Sequence, residues 1–171
     1  MKNNVLVSFE EPIIGCSAKA IQSFINVILK KRNHSSWEVS ILLCSDANMQ
    51  KCNKTYRGID SPTDVLSFET GDFYIDEKGK KWYLAGDIAI SPESMVRNCK
   101  EFDVSVNEEL KRLLIHGILH LEGMEHANAH VSADACIAED TNGSKTDDNM
   151  LTTQELLLKK MADYILIKEK E

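Results

Sequence analysis

The stretch Ser105–His126, SVNEELKRLLIHGILHLEGMEH, is the best specified segment of the chain. Ser105 and Glu108 have the spacing of a capping box, which satisfies open N–H groups at a helix start. Leu110, Leu113, Leu114 and Gly117 follow at helical spacing, and Gly123 is a natural stop. The segment therefore reads as an amphipathic helix starting near Val106. His116 and His120 stand four residues apart, so they share one face, one turn apart. Gly123 lets the chain reverse, and His126 can return as a third ligand. Three neutral imidazoles on one Zn²⁺ leave a fourth position for water, the arrangement of a catalytic site. A closed structural site would take four protein ligands, usually with Cys, and no Cys lies near in sequence.

The same histidine spacing occurs in metzincin proteases, where a Glu after the first His is the general base. Here that residue is Gly117, so a peptidase mechanism would lack its base. Glu122 and Glu125 are nearby acids that read either as partners orienting an imidazole N–H or as solvated charges. His130 begins a polar stretch and is at most a spare ligand. His34, after Lys30-Lys31-Arg32-Asn33, reads as a solvated helix end.

Outward from this helix, strand and helix patterns alternate. Val5, Val7 and Phe9 predict a strand. Ser17 caps a helix to about Arg32 with Ile21, Phe24, Ile25 and Ile28 on one face. Trp37–Cys44 reads as a strand, and Ser45 caps a short helix carrying Met49, Cys52 and Tyr56. Val65–Phe68 reads as a strand. Asp76–Lys80 is a turn joining Phe73–Ile75 to Trp82–Leu84 in a hairpin. Gly86–Ile90 is a further strand, and Ser91-Pro92 starts a helix. Residues 127–150 are rich in Ser, Asn, Asp, Gly and Ala and read as a loop or disordered insert. Thr152 and Glu155 form a second capping box that opens a last helix with Leu156, Leu157, Met161, Tyr164 and Ile165.

A second polar segment, Asn53–Phe68, feeds a strand through Gly58 and Pro62. Its Arg57 has two readings. The guanidinium fork suits a phosphate or a developing oxyanion; alternatively, Arg57 is a surface residue paired with Asp60 or Asp64. Asp87, in Gly86–Ser91, reads as a group that holds a loop or a histidine.

With 171 residues, 43% hydrophobic and 27% charged, the chain suits one globular domain. No stretch approaches the roughly 20 apolar residues of a membrane span. The N-terminus does not read as a signal peptide, so a cytoplasmic protein is expected. Cys16, Cys44, Cys52, Cys99 and Cys136 form no CxxC pair and read as reduced thiols. The net charge of −7 weighs against a nucleic-acid partner. Its distribution weakens that objection: residues 1–60 carry +3, residues 61–171 carry −10, and Lys51, Lys54 and Arg57 lead into the second polar segment.

Taken together, three blocks resemble the YbeY family of bacterial endoribonucleases and ribosomal-RNA maturation factors. They are Tyr56–Phe68, Gly86–Ser91 and His116–His126, in that order. The resemblance covers roughly residues 1–126 and the last helix. It implies an α+β fold, a small mixed β-sheet with surrounding helices, and a three-histidine metal site at the end of a central helix. It makes 1–171 a single domain with the insert at about 127–150. It implies one zinc ion held by His116, His120 and His126, with Arg57 acting in RNA processing. The implied role is single-strand cleavage in small-subunit (16S) ribosomal RNA maturation and late ribosome quality control. The partners implied are single-stranded ribosomal RNA, ribosomal proteins and assembly factors. A zinc-containing assembly factor without catalysis, or another metal-dependent hydrolase, are the alternatives. Three features depart from the family pattern: Glu69 stands in place of Pro, Met124-Glu125 replaces an aromatic-Asp pair, and 127–150 is longer and more polar.

Overall fold

The computed structural model describes residues 2–124 and 146–168. Strands β1 (Asn4–Phe9), β2 (Trp37–Leu43), β3 (Val65–Ile75) and β4 (Lys81–Ile90) form one mixed sheet in the order β1-β2-β4-β3. β1, β2 and β4 run parallel, and β3 pairs antiparallel with β4. Helices α1 (Ala18–Lys31), α2 (Asp46–Arg57), α3 (Pro92–Phe102), α4 (Val106–Leu121) and α5 (Thr146–Lys160) surround it. The mixed α+β architecture expected from the sequence is the one observed.

Period-2 alternation in β2 and β4 divides the core between two faces of the sheet. Val39, Ile41 and Leu43 of β2 join Ile88 and Ile90 of β4 in the main core, with Ile21, Phe24, Ile25 and Ile28 of α1 and most of α4. The alternate residues Leu42, Cys44 and Ala89 face a smaller cluster with Leu66 and Phe68 of β3 and Met49 and Cys52 of α2. Thus β4 serves both faces, through neighbouring residues: Ile88 on the α4 side and Ala89 on the α2 side.

The helix starts follow the sequence signals. Ser17, Ser45, Ser91 and Ser105 each accept a backbone N–H three residues on. The turn at Asp76 is built by its carboxylate, which accepts from the Lys78 and Lys80 backbone N–H groups and from Trp82 Nε1. Two readings change. The segments read as separate short strands join into one long hairpin, because an irregularity between Glu69 and Asp72 and a bulge at Glu38/Val39 absorb the breaks. Gly86 lies beside that bulge at φ 140°, and any Cβ there would overlap the Phe68 carbonyl.

The second change is at α5. It begins at Thr146, not Thr152, so Thr152 is not a cap and residues 146–150 are helical. Met150, fully buried in the main core, draws the helix back toward the N-terminus. Met161, Tyr164 and Ile165 lie beyond its end. The remainder of the expected insert, 127–145, and with it Cys136, lies outside the described residues. Among those described, no helix is long and apolar enough to cross a membrane. Cys16, Cys44, Cys52 and Cys99 are free thiols. Burial, aided by Glu10, pushes the Cys44 thiol up to about 11, so it is protonated and inert.

Candidate metal centre

α4 runs through the middle of the structure, and its sequence explains its position. Leu110, Leu114, Ile115, Ile118 and Leu119 are wholly buried. Gly117 meets the sheet directly: a Cβ there would stand 2.7 Å from Ile88 Cδ1 and 2.9 Å from its Cγ2. The residue that would be a protease's general base is thus a close-packing glycine, and a glutamate has no room there.

One step to the side of this contact, His116 and His120 converge. Their Nε2 atoms lie 3.0 Å apart, with the rings nearly perpendicular and 4.6 Å between centroids. His116 Nδ1 donates to Gln154 Oε1 at 2.9 Å. That bond fixes the tautomer: with the proton on Nδ1, neutral His116 presents the Nε2 lone pair toward His120. Two ligands each about 2.0–2.1 Å from a tetrahedral zinc stand about 3.3 Å apart. The observed spacing therefore fits two imidazoles on one ion. Among the described residues no group of three His, Cys, Asp or Glu side chains forms a metal cluster. His126, Glu125 and His130 lie outside the described residues.

Gln154 is a residue that sequence reasoning missed. It is almost fully buried on α5, and its neighbour Glu155 reaches Arg112, one turn before His116. Arg112 also pairs with Glu108 at 3.2 Å and Glu109 at 2.6 Å. Lys111, buried on the same helix, donates to the Met161 and Ala162 carbonyls just past the end of α5. α5 is thereby clamped along α4 over the turn that precedes His116.

Glu122 does not orient an imidazole of the pair, and it is not a solvated charge. Its carboxylate is buried and accepts from Arg32 Nε and Nη2, the latter at 2.6 Å, and lies 2.7 Å from His34 Nε2. His34 is stacked on Trp37 with centroids 3.8 Å apart, so it is not a free helix end either. This cluster ties the C-cap of α4 to the end of α1 and the start of β2.

Arg57 occupies the last turn of α2, exposed, and makes no hydrogen bond or ion pair with another described residue. The acids its surface-pair reading required are engaged elsewhere. Asp60 binds Lys54 at 2.6 Å and Gln50 at 2.9 Å. Asp64 accepts from Asn98 Nδ2 at 2.9 Å and from the Val65 backbone. Asp87 is exposed on β4. The free positive charge in this part of the fold thus sits on α2, whereas on α4 Arg112 is surrounded by carboxylates.

Comparison with known proteins follows the same segments. The family model for Endoribonuclease YbeY matches residues 11–142. An endoribonuclease YbeY of Treponema denticola is 52% identical over 129 residues, covering 75% of this chain and 83% of the relative. That of Treponema pallidum is 48% identical over 128 residues, covering 72% and 78%. The solution structure of a Thermotoga maritima protein superposes with a TM-score of 0.53 at 23% identity, over 92% of this chain and 87% of that one. This last likeness speaks to the fold alone.

Proposed function

The chain belongs to the YbeY endoribonuclease family, and from that premise we propose that it is a zinc-dependent endoribonuclease specific for single-stranded RNA. We assign it to 16S ribosomal RNA maturation and late ribosome quality control in the cytoplasm, working with ribosomal proteins and assembly factors. His116, His120 and His126 would hold the ion. Zinc, when bound, supplies Lewis-acid polarisation of a phosphate oxygen and a lowered pKa for water.

The chain's own residues do the rest. Gln154 holds His116 in the tautomer that offers Nε2. The Arg57 fork binds the scissile phosphate and stabilises the charge that grows on it. The attacking oxygen is a water or the substrate's 2′-OH. Analysis of product ends separates these, since a 2′,3′-cyclic phosphate excludes water from the first step.

The observation that supports the metal reading most directly is the 3.0 Å approach of the two Nε2 atoms, with His116 Nδ1 already occupied. The test is metal content of the purified protein, followed by cleavage of single- and double-stranded RNA with and without chelator. Stoichiometric zinc and chelator-sensitive, single-strand cleavage are expected. Full cleavage by chelated, metal-free protein would overturn the metal role. A folded Arg57→Ala or His116→Ala protein that still processes 16S RNA ends normally would overturn the enzymatic role.

A further inference from the structure

Immediately before Arg57 stands an aromatic ring that the core does not use. Tyr56 is 67% exposed on the last turn of α2. It is nevertheless held: its ring meets Phe68 of β3 in an edge-to-face contact, with centroids 4.9 Å apart and planes at 64°. Whichever ring supplies the edge, at least one face of Tyr56 remains open. Phe68 is itself packed against the α2-side cluster, so the ring is braced from beneath by the sheet. Lys51, Lys54 and Arg57 lie exposed on the same helix, and Arg57 has no acid among the described residues to neutralise it.

We infer that Tyr56 is a stacking platform for one nucleobase of single-stranded RNA, next to a phosphate held by Arg57. A braced aromatic face beside exposed cationic groups, of which Lys54 is held by Asp60 and Arg57 is left without an acid among the described residues, is the combination that binds single strands. The flanking cations favour RNA over an apolar protein segment as the occupant. Bases in a duplex are already stacked and show no face to a protein side chain, so this platform would itself discriminate against double strands. Tyr56 and Arg57 share the last turn of α2, so the base and the phosphate are expected on nearby nucleotides. This inference rests on the reading of the chain as a single-strand endoribonuclease.

The test uses metal-loaded, full-length protein and a fluorescent single-stranded oligoribonucleotide, measuring both cleavage and binding by anisotropy. A second set of substrates carries one abasic nucleotide, moved along the strand. From the worth of one base–aromatic stack, Tyr56→Ala is expected to raise KM and Kd about 5- to 150-fold with kcat changed much less. Tyr56→Phe keeps the stack and should behave as wild type. One abasic position should weaken wild type by the same factor and cost Tyr56→Ala nothing more. Unchanged KM in Tyr56→Ala, equal losses in Tyr56→Phe and Tyr56→Ala, or abasic penalties that simply add to the mutation would each overturn the platform. Wild type that neither binds nor cleaves single-stranded RNA would overturn the underlying endoribonuclease reading, and the platform with it.

Discussion

Replacing Gly117 by Ala sets two opposed effects against each other. Alanine is favoured over glycine inside a helix by about 1 kcal/mol. Against this, the new Cβ would stand 2.7 Å from Ile88 Cδ1, 2.9 Å from Cγ2 and 3.1 Å from Cγ1. Comfortable carbon contacts lie at about 3.5–4.0 Å, so α4 must lift from the sheet or Ile88 must leave its rotamer. Ile88 is branched and only 1% exposed, with neighbours on every side, so it cannot simply swing away. Overpacking of this kind costs about 1–3 kcal/mol. The balance is a net loss of up to about 2 kcal/mol, centred near 1, which lowers Tm by about 2–4 °C in a chain of this size. Thermal and urea unfolding of Gly117→Ala measure this directly. The partner variant Ile88→Val removes the atom making the shortest contact and alone costs about 0.5–1.5 kcal/mol. In the Gly117→Ala background it should cost less, giving a favourable coupling in the double-mutant cycle. If Gly117→Ala is instead stabilised by about the full propensity gain, with no coupling to Ile88, the packing explanation of this glycine is wrong.

Three other outcomes are expected. Gln154→Leu should stay folded but bind zinc about 10- to 100-fold more weakly in a competition titration, since the His116 tautomer loses its partner; unchanged affinity would refute that role. Glu122→Gln weakens a buried carboxylate's bonds to Arg32 and His34, and should cost about 2 kcal/mol, or roughly 4–8 °C in Tm. An unaltered melting curve would show the cluster to be energetically idle. Burial alone would raise the Asp46 carboxyl, but bonds from Arg97, Ser91 and Ser94 outweigh it and hold the group at about 2. Its folded value lies below its ordinary 3.8, so its stabilisation is present above about pH 4 and is lost as pH falls through 2. Wild type should exceed Asp46→Asn by about 1–2 kcal/mol at pH 6 in urea unfolding, and the gap should narrow as pH falls below about 4 and close only below about pH 2.

Local signals explain what the sequence makes legible. α4, its serine cap and the convergence of His116 with His120 all follow from spacing within one helix. The Asp76 turn is equally local, since every one of its bonds falls within six residues. Long-range partners are a different matter. Glu122 is 90 residues from Arg32 and 88 from His34, and nothing along the chain says that these three meet. Gln154 was hidden for a related reason. The polar run before Met150 carries no helical periodicity, so a start at Thr152 looked natural, and only burial of Met150 reveals the longer helix. Gly117 is legible as the absence of a base, but its positive reason, contact with Ile88, exists only once the sheet has formed.

The sheet also explains how two polar segments far apart in sequence can be given fixed positions. The imidazole pair is on α4, against one face; Arg57 and Tyr56 are on α2, against the other. The residues that bear on these helices, Ile88 and Ala89, are neighbours on β4, pointing opposite ways. Their separation is set by the covalent geometry of one strand, hydrogen-bonded on both sides by β2 and β3. Each helix is then fixed at its end by polar contacts: α2 through Asp46 to Ser91, Ser94 and Arg97 of the α3 start, and α4 through Glu122 to Arg32 and His34. A stack of rigid elements with pinned ends suits positioning chemistry, where an error near 1 Å costs about two orders of magnitude in rate. It also accounts for an acidic chain that handles a polyanion. If the strand is held on α2, as proposed, attraction need be supplied only there, while the acidic groups that surround Arg112 brace the helix that carries the imidazoles.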